Sequence, residues 1–170
     1  FYYAELLNDH LSRFDLAAVE YTKVALADIA KIDPAPDENG NKPEPQKPGK
    51  WLENATFNAI LAYDVEATKF EKTEKLPENS EKTQLAIPEI KQRLLEACLR
   101  YIKYVPKGSQ RTEVMYKTAQ IFDRYNYFDR AAQIYGAIAL EYPESSLAEY
   151  SANLMLDVFN RQEDWAKMNE

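Results

Sequence analysis

The alternation of apolar and polar positions is helical over most of the chain. In residues 111–146, RTEVMYKTAQIFDRYNYFDRAAQIYGAIALEYPESS, apolar side chains recur every three or four positions in two runs separated by a short polar turn. The spacing predicts helices near 111–125 and 128–141, closed by Pro143, since proline cannot continue a helix. Ala119, Ala131 and Ala132 stand where the two helices must approach closely, and Phe122, Phe128 and Tyr135 fill the space beside them. Such a pair cannot bury its apolar face alone and needs neighbours of the same kind.

Other stretches supply those neighbours. Residues 1 to about 12 place Tyr2, Leu6 and Leu7 on one face, with Tyr3 and Ala4 beside them. Arg13-Phe14-Asp15 reads as a turn, with Asp15 as N-cap of a helix running to about Ile32. Its stripe is Ala17, Ala18, Tyr21, Val24, Ala25 and Ile29, and Asp33-Pro34 ends it. Five prolines and two glycines between Pro34 and Lys50 predict a solvated extended loop over 35–50. A helix restarts at Trp51 and runs to about Lys72, with Trp51, Phe57, Ile60, Leu61, Ala62, Val65 and Phe70 as its apolar band. Residues 73–86 are polar and broken by Pro77, so they read as an insertion between helices. Ile87-Pro88-Glu89 opens a helix with stripe Ile90, Leu94, Leu95, Cys98, Tyr101, Ile102 and Val105, which Pro106-Lys107-Gly108 stops. A last helix spans about Ser146 to Gln162, and Glu163-Asp164-Trp165 reads as one more turn. The expected fold class is all-α.

One fragment recurs. RFDLAAVEYTKV (13–24) aligns without gaps to YFDRAAQIYGAI (127–138), with Phe14/Phe128, Asp15/Asp129, Ala17/Ala131, Ala18/Ala132 and Tyr21/Tyr135 identical. Pro106 and Pro143 lie 37 apart, as do Phe128 and Trp165. Self-similarity near this period signals stacked helical hairpins. Ala119, Phe128, Ala131, Tyr135 and Pro143 make residues 111–143 resemble a tetratricopeptide repeat. Met115, Thr118 and Ala119 depart from the aromatic, Leu and Gly usual there. The resemblance implies a helical-hairpin solenoid with approximate units 1–34, 51–106 (carrying the insertion 73–86), 111–143 and a truncated 146–170, the proline-rich loop lying between the first two. Tyr142-Pro143-Glu144-Ser145 resembles the junction between units in bacterial envelope repeat proteins, such as the Tol-Pal-associated and outer-membrane-assembly lipoproteins and gliding-machinery subunits. That likeness implies a periplasmic or envelope location, with a cytoplasmic one left open.

The family resemblance also implies a site. First helices of successive units line a concave groove that holds a peptide or helix of a partner protein. Carried over position by position, the groove residues are Glu113, Tyr116, Gln120 and Asp123 in one unit, and Tyr150, Asn153, Asp157 and Asn160 in the next. Asn54, Phe57 and Asp64 are the counterparts in the third. Polar side chains with interleaved aromatics suit a peptide, with apolar anchors giving affinity and hydrogen bonds giving register. The basic clamp with which some relatives hold a C-terminal carboxylate has no match at Tyr116, Gln120 and Asn153.

Charge and composition narrow the alternatives. A net charge of −7, with the basic residues scattered, argues against nucleic acid and against an anionic membrane surface as partner. No run of about 18 apolar residues occurs, so no membrane span is expected. His10 is the only histidine and Cys98 the only cysteine, which leaves no disulfide and no His-pair or Cys-rich metal site. Four glycines could hardly supply a phosphate-cradling loop, and no such motif occurs. Asn54-Ala55-Thr56 fits a glycosylation sequon but falls on a predicted helix. No cofactor, metal or catalytic residue is therefore expected. The chain opens on Phe1 within a helical pattern and closes as a helix cut short, so a piece of a longer protein, with further repeats, is expected.

Three functions fit this pattern. The first is a non-enzymatic protein-interaction scaffold, and the second a structural spacer in a longer repeat array. The third is an enzyme on an α/α scaffold, which would need a deep pocket holding two carboxylates.

Overall fold

In the computed structural model, residues 1–75 and 83–168 are described, the side chains of 162–168 excepted. Every regular element among the described residues is helical. A short helix α1 (Tyr2–Glu5) passes directly into a π-helical turn, Leu6–His10. There follow α2 (Phe14–Ile32), α3 (Leu52–Glu71), α4 (Glu89–Tyr104), α5 (Arg111–Arg124), α6 (Phe128–Glu141) and α7 (Ala148–Met168). Among the described residues the main helix contacts are between sequence neighbours: α2 on α3, α3 on α4, α4 on α5, α5 on α6 and α6 on α7. The predicted stops at Asp33, Val105 and Tyr142 fall where the helices end. Proline follows each of them.

Three hairpins share one aromatic contact. An A-[A/C]-x-x-Y pattern occurs at Ala17–Tyr21, Ala97–Tyr101 and Ala131–Tyr135, on α2, α4 and α6. All nine of its small and tyrosine positions are buried. Small residues let the preceding helix come close, and the tyrosine ring then meets an aromatic from that helix. The pairs are Phe1·Tyr21, Phe57·Tyr101 and Tyr116·Tyr135, with ring centroids 5.6, 5.9 and 5.8 Å apart. Edge-on or tilted pairs of this kind contribute about 0.5–1.5 kcal/mol each beyond their burial. Cys98 takes the second small position and is fully buried, which explains the lone thiol as packing.

The 13–24 and 127–138 fragments also match in backbone. Ser12 and Asn126 both have positive φ (50° and 63°). Arg13 and Tyr127, next in line, adopt nearly the same conformation (φ −92°, ψ 66° and φ −86°, ψ 59°). Helices then start on Phe14 and Phe128. The N–H of Arg13 donates to the Leu7 carbonyl and that of Tyr127 to the Phe122 carbonyl, both at 2.8 Å. The first hairpin thus spans one residue more than the second, and the π turn absorbs it, because a π turn holds one extra residue per hydrogen-bonded loop. With that residue allowed for, Ala4 and Leu7 correspond to Ala119 and Phe122, and all four are buried.

The first helix also turns a different face inward from the one expected. Ala4 and Leu7 point inward, whereas Tyr2, Tyr3 and Leu6 are exposed. Asp15 is not the N-cap of α2: the helix begins at Phe14 without a side-chain cap, and Asp15 instead pairs with Arg13 at 3.2 Å. Leu61 lies on the outer face of α3, where Leu52, Ala55, Ala59 and Tyr63 carry the packing. No turn occurs at Glu163-Asp164-Trp165, because α7 continues as one helix to Met168. That stretch lacks the glycine, proline or left-handed residue that would break a helix.

The proline-rich loop is extended and mostly exposed, yet tied down at several points. Asp33 pairs with Lys42 at 2.7 Å and accepts a 2.8 Å hydrogen bond from the Tyr104 hydroxyl of α4. The Gln46 N–H donates to the Lys31 carbonyl at 2.8 Å. At Gly49 the backbone comes so close to the buried Asp28 carboxylate that a Cβ would sit 1.8 Å from its Oδ1. Of the 73–86 insertion, residues 76–82 lie outside the described residues. Its two flanks seat on the α5–α6 turn. Glu74 accepts hydrogen bonds from Arg124 and Tyr125 (2.7 and 2.6 Å), the Leu85 N–H donates to Tyr125, and Asn126 donates to the Thr83 carbonyl.

Candidate functional site

The principal cavity, about 670 Å³, opens between alternate helices. Asp64, Thr68 and Glu71 come from α3, while Tyr116, Lys117, Gln120, Ile121, Asp123 and Arg124 come from α5. Tyr150, Leu154 and Arg161 come from α7. Lys91 and Leu94 of α4, Asn126 of the α5–α6 turn and Tyr135 of α6 complete the wall.

These helices are laced across the cavity. Asp64 on α3 accepts two hydrogen bonds of 2.8 Å from Lys117 on α5. Asp123 on α5 accepts one of 2.7 Å from Arg161 on α7, whose guanidinium also lies 4.9 Å over the Phe128 ring. Tyr116 sits between Tyr135 at 5.8 Å and Tyr150 at 6.0 Å. Burial, and after it the adjoining Tyr150, raise the Tyr116 pKa. Burial, and after it the Asp123 carboxylate, raise that of Tyr135. Both tyrosines stay neutral hydroxyls that donate and accept hydrogen bonds. Burial pushes the Glu74 carboxyl upward, but hydrogen bonds from Tyr125 and Arg124 outweigh it and leave its pKa lowered. Glu74 is thus a fixed anion behind Arg124.

Of the residues predicted for the groove, Asp64, Tyr116, Gln120, Asp123 and Tyr150 come together in this cavity. Asn54, Glu113, Asn153, Asp157 and Asn160 are exposed outside its wall. Phe57 is half-buried and serves packing through its contact with Tyr101. The basic residues Lys91, Lys117, Arg124 and Arg161 escaped the sequence reading. Lys117, Gln120 and Arg124 follow one another at three and four positions, a face that was legible beside Tyr116 and Asp123.

Among the described residues no group of three His, Cys, Asp or Glu side chains could hold a metal ion, and no helix is long and apolar enough to cross a membrane. Asp64 and Asp123, the two aspartates of the wall, are each ion-paired, to Lys117 and Arg161. Tyrosine hydroxyls, a glutamine amide and paired charges on one concave wall offer donors and acceptors to a peptide backbone, with ring faces for its side chains. Compared with known proteins, the chain matches no family model, no curated protein and no solved structure.

Proposed function

We propose that the chain is a protein-interaction scaffold of the tetratricopeptide type, which binds a peptide or helix of a partner in the cavity between α3, α5 and α7. One observation carries this reading: the cavity wall is built mainly from alternate helices of consecutive hairpins, with Tyr116 between Tyr135 and Tyr150 at its centre. The repeated A-[A/C]-x-x-Y pattern and the neighbour-to-neighbour packing support a solenoid. Placement in a bacterial envelope complex rests on the likeness of Tyr142-Pro143-Glu144-Ser145 to junctions in envelope repeat proteins. A photo-crosslinker at Gln120, exposed on the cavity wall, is expected to trap a polypeptide that the same group at Asn160 does not. Equal yields at the two positions would remove the reading.

A second reading is a spacer stacked among further repeats, with no ligand of its own. A spacer binds nothing at Gln120, so the same crosslinking separates the two.

A further inference from the structure

We infer that Asn39 is a self-modification site, deamidated to aspartate and isoaspartate through attack by the Gly40 backbone nitrogen, at a rate set by the Asp37 side chain. The inference is independent of what the cavity binds. Asn39-Gly40 is the one Asn-Gly pair in the sequence. It lies on the exposed proline-rich loop, in a tight turn where Gly40 has φ +81°. A side chain on the residue after asparagine ordinarily screens the attacking nitrogen. Glycine has none, and nothing lies within 4 Å of where its Cβ would be, so the Asn39 side chain has an open path to that nitrogen.

The chemistry balances with water alone. Solvent base takes the Gly40 amide proton, and the nitrogen attacks the Asn39 side-chain carbonyl carbon. The new C–N bond closes a cyclic imide, and the side-chain nitrogen leaves as ammonia. Water then opens the imide at one of its two carbonyl carbons. Breaking the new C–N bond gives aspartate, and breaking the original peptide bond gives isoaspartate. The isoaspartate product lengthens the backbone by one carbon between Asp37 and Lys42, whose pair with Asp33 anchors the loop.

The turn restrains this reaction. The Gly40 N–H donates to the Asp37 carbonyl at 2.9 Å, so the nucleophile is held as a donor. The Asp37 carboxylate Oδ1 accepts from the Asn39 and Asn41 N–H groups at 2.9 and 2.8 Å, and the Asp37 N–H donates to the Asn41 carbonyl at 2.8 Å. An amide engaged in this way gives up its proton only when the local structure opens. Asp37 is therefore a positioning residue, acting through the turn that it closes.

The test holds the purified chain at mildly alkaline pH and follows the peptide carrying residues 39 and 40 by mass spectrometry, with isoaspartate read by its methyltransferase. The proteins compared are wild type, Asn39→Gln, Asp37→Ala and Asp37→Asn. Asp37→Asn removes the charge but keeps an acceptor oxygen for the two N–H groups, which separates a hydrogen-bonded restraint from simple charge repulsion. Conversion is expected at Asn39 in wild type and none in Asn39→Gln. The rate should rise about tenfold in Asp37→Ala, the scale of a hydrogen bond to a charged group, and stay much closer to wild type in Asp37→Asn. No conversion at Asn39 even in Asp37→Ala would overturn the site. Equal rates in wild type and Asp37→Ala, or rates raised equally in both Asp37 variants, would overturn the control by Asp37.

Discussion

The carboxylate of Asp64 on α3 and the ammonium of Lys117 on α5 meet through two hydrogen bonds of 2.8 Å, across 53 positions of sequence. The pair spans from one hairpin to the next over α4. Its side chains are 30% and 36% exposed, so solvent screens it and the expected coupling is ~0.2–1 kcal/mol. A double-mutant cycle with Asp64→Asn and Lys117→Met, followed by urea denaturation, measures that coupling. A value well above this range would mean the pair is far better shielded than its exposure indicates.

Packing should outweigh that ion pair. Ala97 and Ala131 take the same position in two hairpins, both buried against the preceding helix. Leucine at either site has no room, and Ala97→Leu or Ala131→Leu is expected to destabilise by ~1–3 kcal/mol. Gly108 makes a sharper case, since a Cβ there would lie 2.1 Å from the Tyr101 hydroxyl oxygen. Gly108→Ala should displace that ring from Phe57 and lower the melting temperature. An unchanged melting temperature in all three variants would refute the shared hairpin packing.

Acid should loosen the proline-rich loop. Hydrogen bonds from Lys42 and then Tyr104, with the nearby positive charge, hold the Asp33 carboxyl down at about 2, against an ordinary 3.8. A carboxyl whose folded pKa is depressed contributes stability that is fully present above its unfolded pKa and lost as pH falls through the folded one. The loop anchor is therefore intact above about pH 4 and released between pH 4 and 2. Following the Asp33 carboxyl carbon by NMR should give a midpoint near 2, and one near 3.8 would show that the anchor does not form in solution.

Cys98 should be inert until the protein unfolds. Burial pushes its thiol up to about 12, so at neutral pH almost no reactive thiolate exists, and its side chain is fully covered. Iodoacetamide labelling is expected to follow the unfolding rate across a denaturant series. Rapid labelling of the native protein at pH 8 would contradict the packed position.

Much of this architecture was legible in the sequence because its punctuation is chemical. Pro34, Pro106 and Pro143 follow the ends of α2, α4 and α6, and the bounds expected for α5 and α6 agree with the structure to within a residue. The first helix was misread because its large apolar side chains drew the stripe: Tyr2, Tyr3 and Leu6 are exposed, while the small Ala4 faces inward with Leu7. The match of Trp165 to Phe128 misled because it compared letters, while the break after α5 is made by the positive φ of Asn126. The three-fold A-[A/C]-x-x-Y pattern went unread because the 35–50 loop, the 73–86 insertion and the longer helices α2 and α3 stretch the first interval to 80 residues, against 34 for the second. The acidic and aromatic half of the cavity could be found from helix position. Of its basic half, Lys117 and Arg124 were legible on the same face of α5, whereas Lys91 and Arg161 come from α4 and α7, and periodicity within one helix does not encode how their stems reach across.

The π turn at Leu6–His10 has a consequence for how such a chain tolerates change in length. One surplus residue is taken up inside a single loop of backbone hydrogen bonds, and the positions before and after it, Ala4 and Tyr21 among them, keep their inward aim. Deleting a residue from that loop should relax it to an ordinary α-helix without disturbing the hairpin beyond. In the body of α5, which has no slack to give up, the same deletion would swing half the helix away from its partner.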